Sequence, residues 1–193
     1  MPLLTALYTG LRLSELRGLR WRDVDLTAAR LSIQQTLQRR RDGSLAVHEP
    51  KTHRSRRGVS LPAAVVEAVR EHRRCQLEAR LLAGNAWEDP DLVFTDALGR
   101  PLSETRLRHA FHRLLREAGL PRIRLHDLRH TMATLMLAQG EHPKVVSERL
   151  GHSTVSITLD TYSHVLPGLQ AAAAERLAAA LGAASAPAAH DPS

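Results

Sequence analysis

Four residues toward the C-terminal end are of types that suit chemistry better than packing. They are His126 and Arg129 in the run HDLRH, His152 in LGHS, and Tyr162 in DTYSH. The successive spacings are three, twenty-three and ten residues, in a chain with only two tyrosines. A histidine pair, an arginine and a tyrosine are an odd group for a core and a sensible one for attack on a phosphodiester. A guanidinium grips non-bridging phosphate oxygens with two N–H prongs and a permanent charge. Imidazoles donate hydrogen bonds or carry protons. A phenol becomes a nucleophile once its proton is removed.

Other residues join this group, each with a plainer reading beside the chemical one. Arg12 lies two residues after Gly10, near a helix start. It either projects to solvent or holds a phosphate beside the helix N-terminus, with Glu15 orienting it. Lys51 sits in EPKTHRSRRG, where Arg54, Arg56 and Arg57 already serve phosphate contact. Arginine does not release its proton at useful pH, whereas a lysine with a lowered pKa does. The lone lysine therefore hints at proton donation, against the alternative of a solvated hairpin tip. His126 and His130 are four apart, as zinc ligands on a helix would be. The metalloprotease pattern needs glutamate directly after the first histidine, and Asp127 stands there instead, so we reject a metal site. His130 reads as a packed, hydrogen-bonded histidine that supports the others. His152 follows Gly151, where a histidine often only complements a helix dipole. A lone Tyr162 is usually a half-buried anchor, and only the ensemble argues for more.

The composition narrows the setting. A chain of 193 residues makes about one domain and buries a core without staples. The formal charge of +7 favours a polyanionic partner. Of 27 basic residues only Lys51 and Lys144 are lysine, so arginine preference accounts for part of that charge. A single cysteine, Cys75, excludes a disulfide framework and suits a reducing cytosol. No apolar run is long enough for a membrane span, and the N-terminus lacks the basic lead of a secretory signal. The expected location is the cytoplasm.

The elements that must position these residues follow from periodicity. Residues 2–9 are helical, and Leu13 with Ser14 suggest a staple and an N-cap. Leu16, Leu19 and Val24 would share one helical face. Residues 30–37 alternate through Leu31, Ile33 and Gln35 as a half-buried strand. Asp42-Gly43 signals a hairpin, Leu45 and Val47 alternate after it, and Val59 with Leu61 make a third strand. The expectation is a small three-stranded antiparallel sheet with Lys51 at its edge. Helices follow: one from Pro62, then 104–118, 126–139, a segment from Pro143 to Gly151, one capped by Ser153, and the Ala-rich 170–181. Residues 84–102 read as loop around Leu92, Val93 and Phe94. The fold class is α+β, mainly helical, with a domain over residues 1–182 and a disordered tail over 183–193.

Taken in order, TGLRLSEL, PKT, HDLRH, LGHS and LDTYSHV resemble the boxes of the tyrosine recombinase (phage integrase) family, over residues 4–167. That resemblance implies a DNA breaking-rejoining catalytic domain similar to type IB topoisomerases. It implies that Arg12 and Arg129 clamp the scissile phosphate, while His126 and His152 bond it and help move protons. Lys51 would protonate the leaving 5′-oxygen, Tyr162 would form a 3′-phosphotyrosine, and Glu15 would support. No metal or cofactor is implied. The partner would be double-stranded DNA, contacted also by Arg54, Arg56, Arg57 and Lys144, with a homo-tetramer assembling on it through the C-terminal helix. Family members carry an N-terminal DNA-binding domain, and the expectation here is a chain without it. Two alternatives stand beside the enzyme. One is a non-catalytic DNA-binding module, with residues 126–150 as a helix-turn-helix reading DNA through Lys144, Glu148 and Arg149. The other is an inactive remnant.

Overall fold

The computed structural model of the chain describes residues 1–49, 56–163 and 169–184. Lys51, Arg54 and most of the expected tail lie outside the described residues. Two helices open the chain, α1 (Pro2–Thr9) and the short α2 (Leu13–Arg17). Five strands follow: β1 (Val24–Asp25), β2 (Arg30–Ser32), β3 (Thr36–Arg39), β4 (Leu45–His48) and β5 (Gly58–Ser60). Six α-helices follow among the described residues: α3 (Ala63–Ala83), α4 (Glu104–Glu117), α5 (Asp127–Ala138), α6 (Pro143–Leu150), α7 (Val155–Tyr162) and α8 (Leu169–Ala184). The architecture is α+β and mainly helical.

The sheet is three-stranded and antiparallel, with a membership that differs from the sequence reading. Its order is β1-β2-β5, with Leu31 opposite Val59. The alternating stretch 30–37 is two strands. Its second half, β3, pairs with β4 in a separate two-stranded hairpin. At the break Gln35 Nε2 donates to Gly18 O, 17 residues upstream, at 2.9 Å, holding the chain against the end of α2. Val24 pairs in β1 because α2 stops at Arg17. The Asp42-Gly43 turn forms as the sequence signals. Asp42 Oδ1 accepts the Ser44 N–H at 2.9 Å, and Gly43 takes φ +86°.

Two apolar clusters result among the described residues. The larger joins α1, α2, the sheet and α3 through Leu16, Leu31, Val59, Val65 and Val69, and takes in Val93, Phe94 and Leu107. Residues 84–102 are thus packed. Leu92, Val93 and Phe94 are buried, and isolated bridges tie Arg20 to Leu92 and Thr95 to Pro101. The smaller cluster joins α5, α6 and α7 through Met132, Ala133, Leu137, Val146, Leu150 and Tyr162. Two expected caps are displaced. Arg12, not Ser14, is the N-cap of α2, because Glu15 Oε2 reaches back to the Arg12 backbone N–H at 2.7 Å. Thr154, not Ser153, precedes α7, since the backbone stays extended there at φ −138°.

Candidate active site

Arg129 sits in the first turn of α5, the segment whose N-terminus is His126, and is only 4% exposed. Its Nη1 donates to Gly10 O at 2.5 Å and its Nη2 to Leu150 O at 2.6 Å. Gly10 and Gly151 close α1 and α6 in the left-handed region, at φ +65° and +67°. Carbonyls at helix C-termini lack intrahelical donors and carry the negative end of the helix dipole. A buried cation between two such ends satisfies both. Gly10 suits its φ of +65°, which strains any side-chain-bearing residue, while an added Cβ would push aside only the flexible end of Met132, 2.1 Å away at Cε. Burial, and then the charges of Arg12 and Arg57, lower the Arg129 guanidinium to about 10, so it stays cationic at neutral pH.

Glu15 organises the other cations. Its side chain is 3% exposed and accepts both Arg57 Nη1 and Nη2 at 3.0 Å. It also accepts Arg12 Nη1 at 3.0 Å, leaving the Arg12 side chain 42% exposed. Burial alone would raise this carboxyl; the Arg57 hydrogen bonds and charge outweigh it and hold it below the ordinary range. Arg57 Nε donates to Arg149 O at 2.7 Å, which ties the end of α6 to the strand side. Arg57 is therefore not the exposed phosphate contact expected from its basic run. It is 9% exposed, with its donors turned inward. No local signal marks this role, because its carboxylate partner lies 42 residues away in sequence.

The histidines and the tyrosine complete the group. His152 Nδ1 lies 2.8 Å from Thr158 Oγ1, and Thr158 was not singled out by the sequence. Burial first, then Arg129, Arg12, Arg57 and His130, push His152 down to about 4, so it is neutral at pH 7. His126 is exposed, with its ring edge-on to His130 at 5.0 Å. It too is lowered, by burial and then by His130 and Arg129. Tyr162 is 2% exposed within the smaller cluster, and its Oη lies 2.9 Å from His130 Nδ1. Burial raises this phenol and Arg129 opposes without prevailing, so the resting group is a phenol. Arg56 is exposed and paired with Glu49 at 2.6 Å, and Lys144 is exposed beside it across a cleft of about 310 Å³ that His152 also lines. Among the described residues, no group of three His, Cys, Asp or Glu side chains could hold a metal ion.

Arg12 and Arg57 meet on Glu15, Arg57 and Arg129 both bond carbonyls at the end of α6 just before His152, and His130 meets Tyr162, so these groups form a cation-lined cradle beside a phenol. The helix-turn-helix reading loses a base reader here. Arg149 Nη2 donates to Tyr8 O at 2.7 Å and Ser60 O at 3.1 Å, within its own fold.

The phage integrase family model matches residues 2–168, and the chain belongs to that family. A tyrosine recombinase XerC-like protein of Caldanaerobacter subterraneus is 36% identical over 185 residues, 90% of this chain and 47% of that protein. An integrase of Streptomyces ambofaciens is 32% identical over 188 residues, 89% of this chain and 46% of its own length. The chain thus spans about half the length of these curated relatives. Among solved structures, the Tn1549 transposon integrase in complex with transposon right end DNA superposes with a TM-score of 0.77 at 26% identity, covering 91% of this chain and 57% of that one.

Proposed function

We propose that this chain is the catalytic domain, over residues 1–182, of a site-specific DNA recombinase that cleaves and rejoins strands through Tyr162. The observation that supports this most is the hydrogen-bonded gathering of Arg12, Arg57 and Arg129 around Glu15 and the ends of α1 and α6, with His130 on Tyr162, from positions up to 150 residues apart. Tyr162 Oη attacks the phosphorus and forms a 3′-phosphotyrosine while the P–O5′ bond breaks. Arg12 and Arg129 neutralise charge growing on the non-bridging oxygens, in a site where burial strengthens each bond. His126 and His152, held neutral, bond the phosphoryl oxygens. Lys51, outside the described residues, gives the 5′-oxygen its proton. The covalent bond conserves the phosphodiester's energy, so the released 5′-hydroxyl, or one from a second duplex, rejoins without a further energy source.

Double-stranded DNA is the partner, with Arg54, Arg56 and Lys144 on its backbone. Assembly as a tetramer on DNA through α8, which exposes Leu177, and a cytoplasmic setting belong to the same proposal. Among the described residues no helix is long and apolar enough to cross a membrane. The test uses suicide duplexes with randomised cores, nicked so that cleavage traps the enzyme. The wild-type chain forms a denaturation-resistant adduct and Tyr162→Phe forms none. An adduct that survives Tyr162→Phe overturns the assignment.

A further inference from the structure

The reading above leaves the phenolic proton without a destination. Burial keeps Tyr162 protonated, so attack requires an acceptor within hydrogen-bond reach of Oη. Among the described residues, the partner of Oη is His130 Nδ1 at 2.9 Å, with the rings 5.8 Å apart. The other two histidines of the cradle are engaged differently. His152 Nδ1 faces Thr158, and His126 meets His130 ring to ring at 5.0 Å. Resting on the proposed role of Tyr162, we infer that His130 is a catalytic residue: its Nδ1 takes the phenolic proton as Oη attacks the phosphorus.

The step balances within the chain. The Oη–P bond forms and the P–O5′ bond breaks. The phenolic proton moves to His130 Nδ1, and O5′ leaves with the bonding pair and takes a proton from Lys51. Rejoining reverses each transfer, with His130 returning its proton to Oη. The tautomer that accepts at Nδ1 carries its hydrogen on Nε2. The groups around His130 come from two sides. His126, Arg129 and Asp127 belong to its own segment, and Tyr162 on α7 and His152 before α7 face it. The imidazolium formed in the step has Asp127 within electrostatic reach and is offset by the charge gathering on the phosphoryl oxygens. A histidine four residues after His126 thus has work distinct from that of the first.

The experiment uses the full chain and the duplex that the wild type captures from the randomised pool, made with either oxygen or sulfur at the scissile 5′ position. A thiolate leaves without being protonated, so sulfur rescues loss of an acid and not loss of a base. Single-turnover cleavage by His130→Ala and His130→Asn is expected to fall about 100-fold or more on both duplexes, with DNA affinity within about twofold of wild type. Lys51→Ala, by contrast, recovers on sulfur. Asparagine accepts a hydrogen bond but not a proton, so near-wild-type cleavage by His130→Asn would reduce His130 to a holder of the ring and overturn the inference. Rescue of His130→Ala by sulfur would overturn it as well, as would loss of the cooperative unfolding transition in both variants. Failure of the wild type to form any adduct, or an adduct in Tyr162→Phe, sinks the nucleophile assignment itself. A wild-type adduct with unslowed His130 variants sinks only this inference.

Discussion

Glu15 is a buried carboxylate shared by two guanidiniums with opposite situations. Arg57 gives it a two-pronged bond and is enclosed; Arg12 gives it one prong and keeps the rest of its donors toward solvent. Removing one partner of an enclosed ion pair strands the other charge, which costs about 3–5 kcal/mol. Arg57→Ala should lose stability on that scale in urea unfolding. Arg57→Lys should recover only part of it, because a point charge does not supply two parallel bonds and the Nε bond to Arg149 O. Gly10→Ala is expected to cost about 1–3 kcal/mol from its left-handed backbone, with the end of Met132 shifting aside at little further cost. It should also depress adduct formation, since its carbonyl holds Arg129. At this scale the sequence revealed residue types and missed pairings. Arg12, His126, Arg129, His152 and Tyr162 stand out by chemistry, whereas Arg57 looks like any member of a basic run until Glu15 is brought to it.

The turn between α6 and α7 is where an element carries electrostatics. It ends α6 on a left-handed Gly151 and delivers His152 to the cradle against Thr158. In the unfolded chain an imidazole protonates near pH 6.5; in the fold His152 does so only near 4. Across that window the unfolded state binds more protons, so stability is fully present above about pH 6.5 and is lost as pH falls toward 4. His126 and His72, both lowered chiefly by burial, act in the same direction. Urea midpoints at pH 7 and pH 4.5 should differ for the wild type, and His152→Gln should narrow the gap. Elements were legible where one face repeats: α4, α5 and α6 fall within a residue or two of their expected bounds. They were illegible where a distant partner decides. Gln35 splits an alternating run by bonding Gly18, and Glu15 moves a cap from Ser14 to Arg12.

The whole molecule is a basic body of formal charge +7 with much of its arginine already paired to its own acids. Under the proposed function, DNA affinity should fall steeply with salt, because phosphate neutralisation releases counterions. Lys144→Ala should weaken binding uniformly across sequences and shallow the log–log salt slope by about one, read by fluorescence anisotropy over a salt series. At this scale the sheet's existence was legible and its membership was not, since β1 enters only after α2 ends at Arg17.

Arg129 is fastened to a carbonyl 119 residues upstream and to another 21 downstream. A nascent polypeptide therefore has no assembled clamp until α6 has emerged and found the chain's first helix. Under the proposed function, strand-breaking capacity should consequently appear in refolding only once that clamp has closed, and a stalled or clipped intermediate should leave a genome uncut.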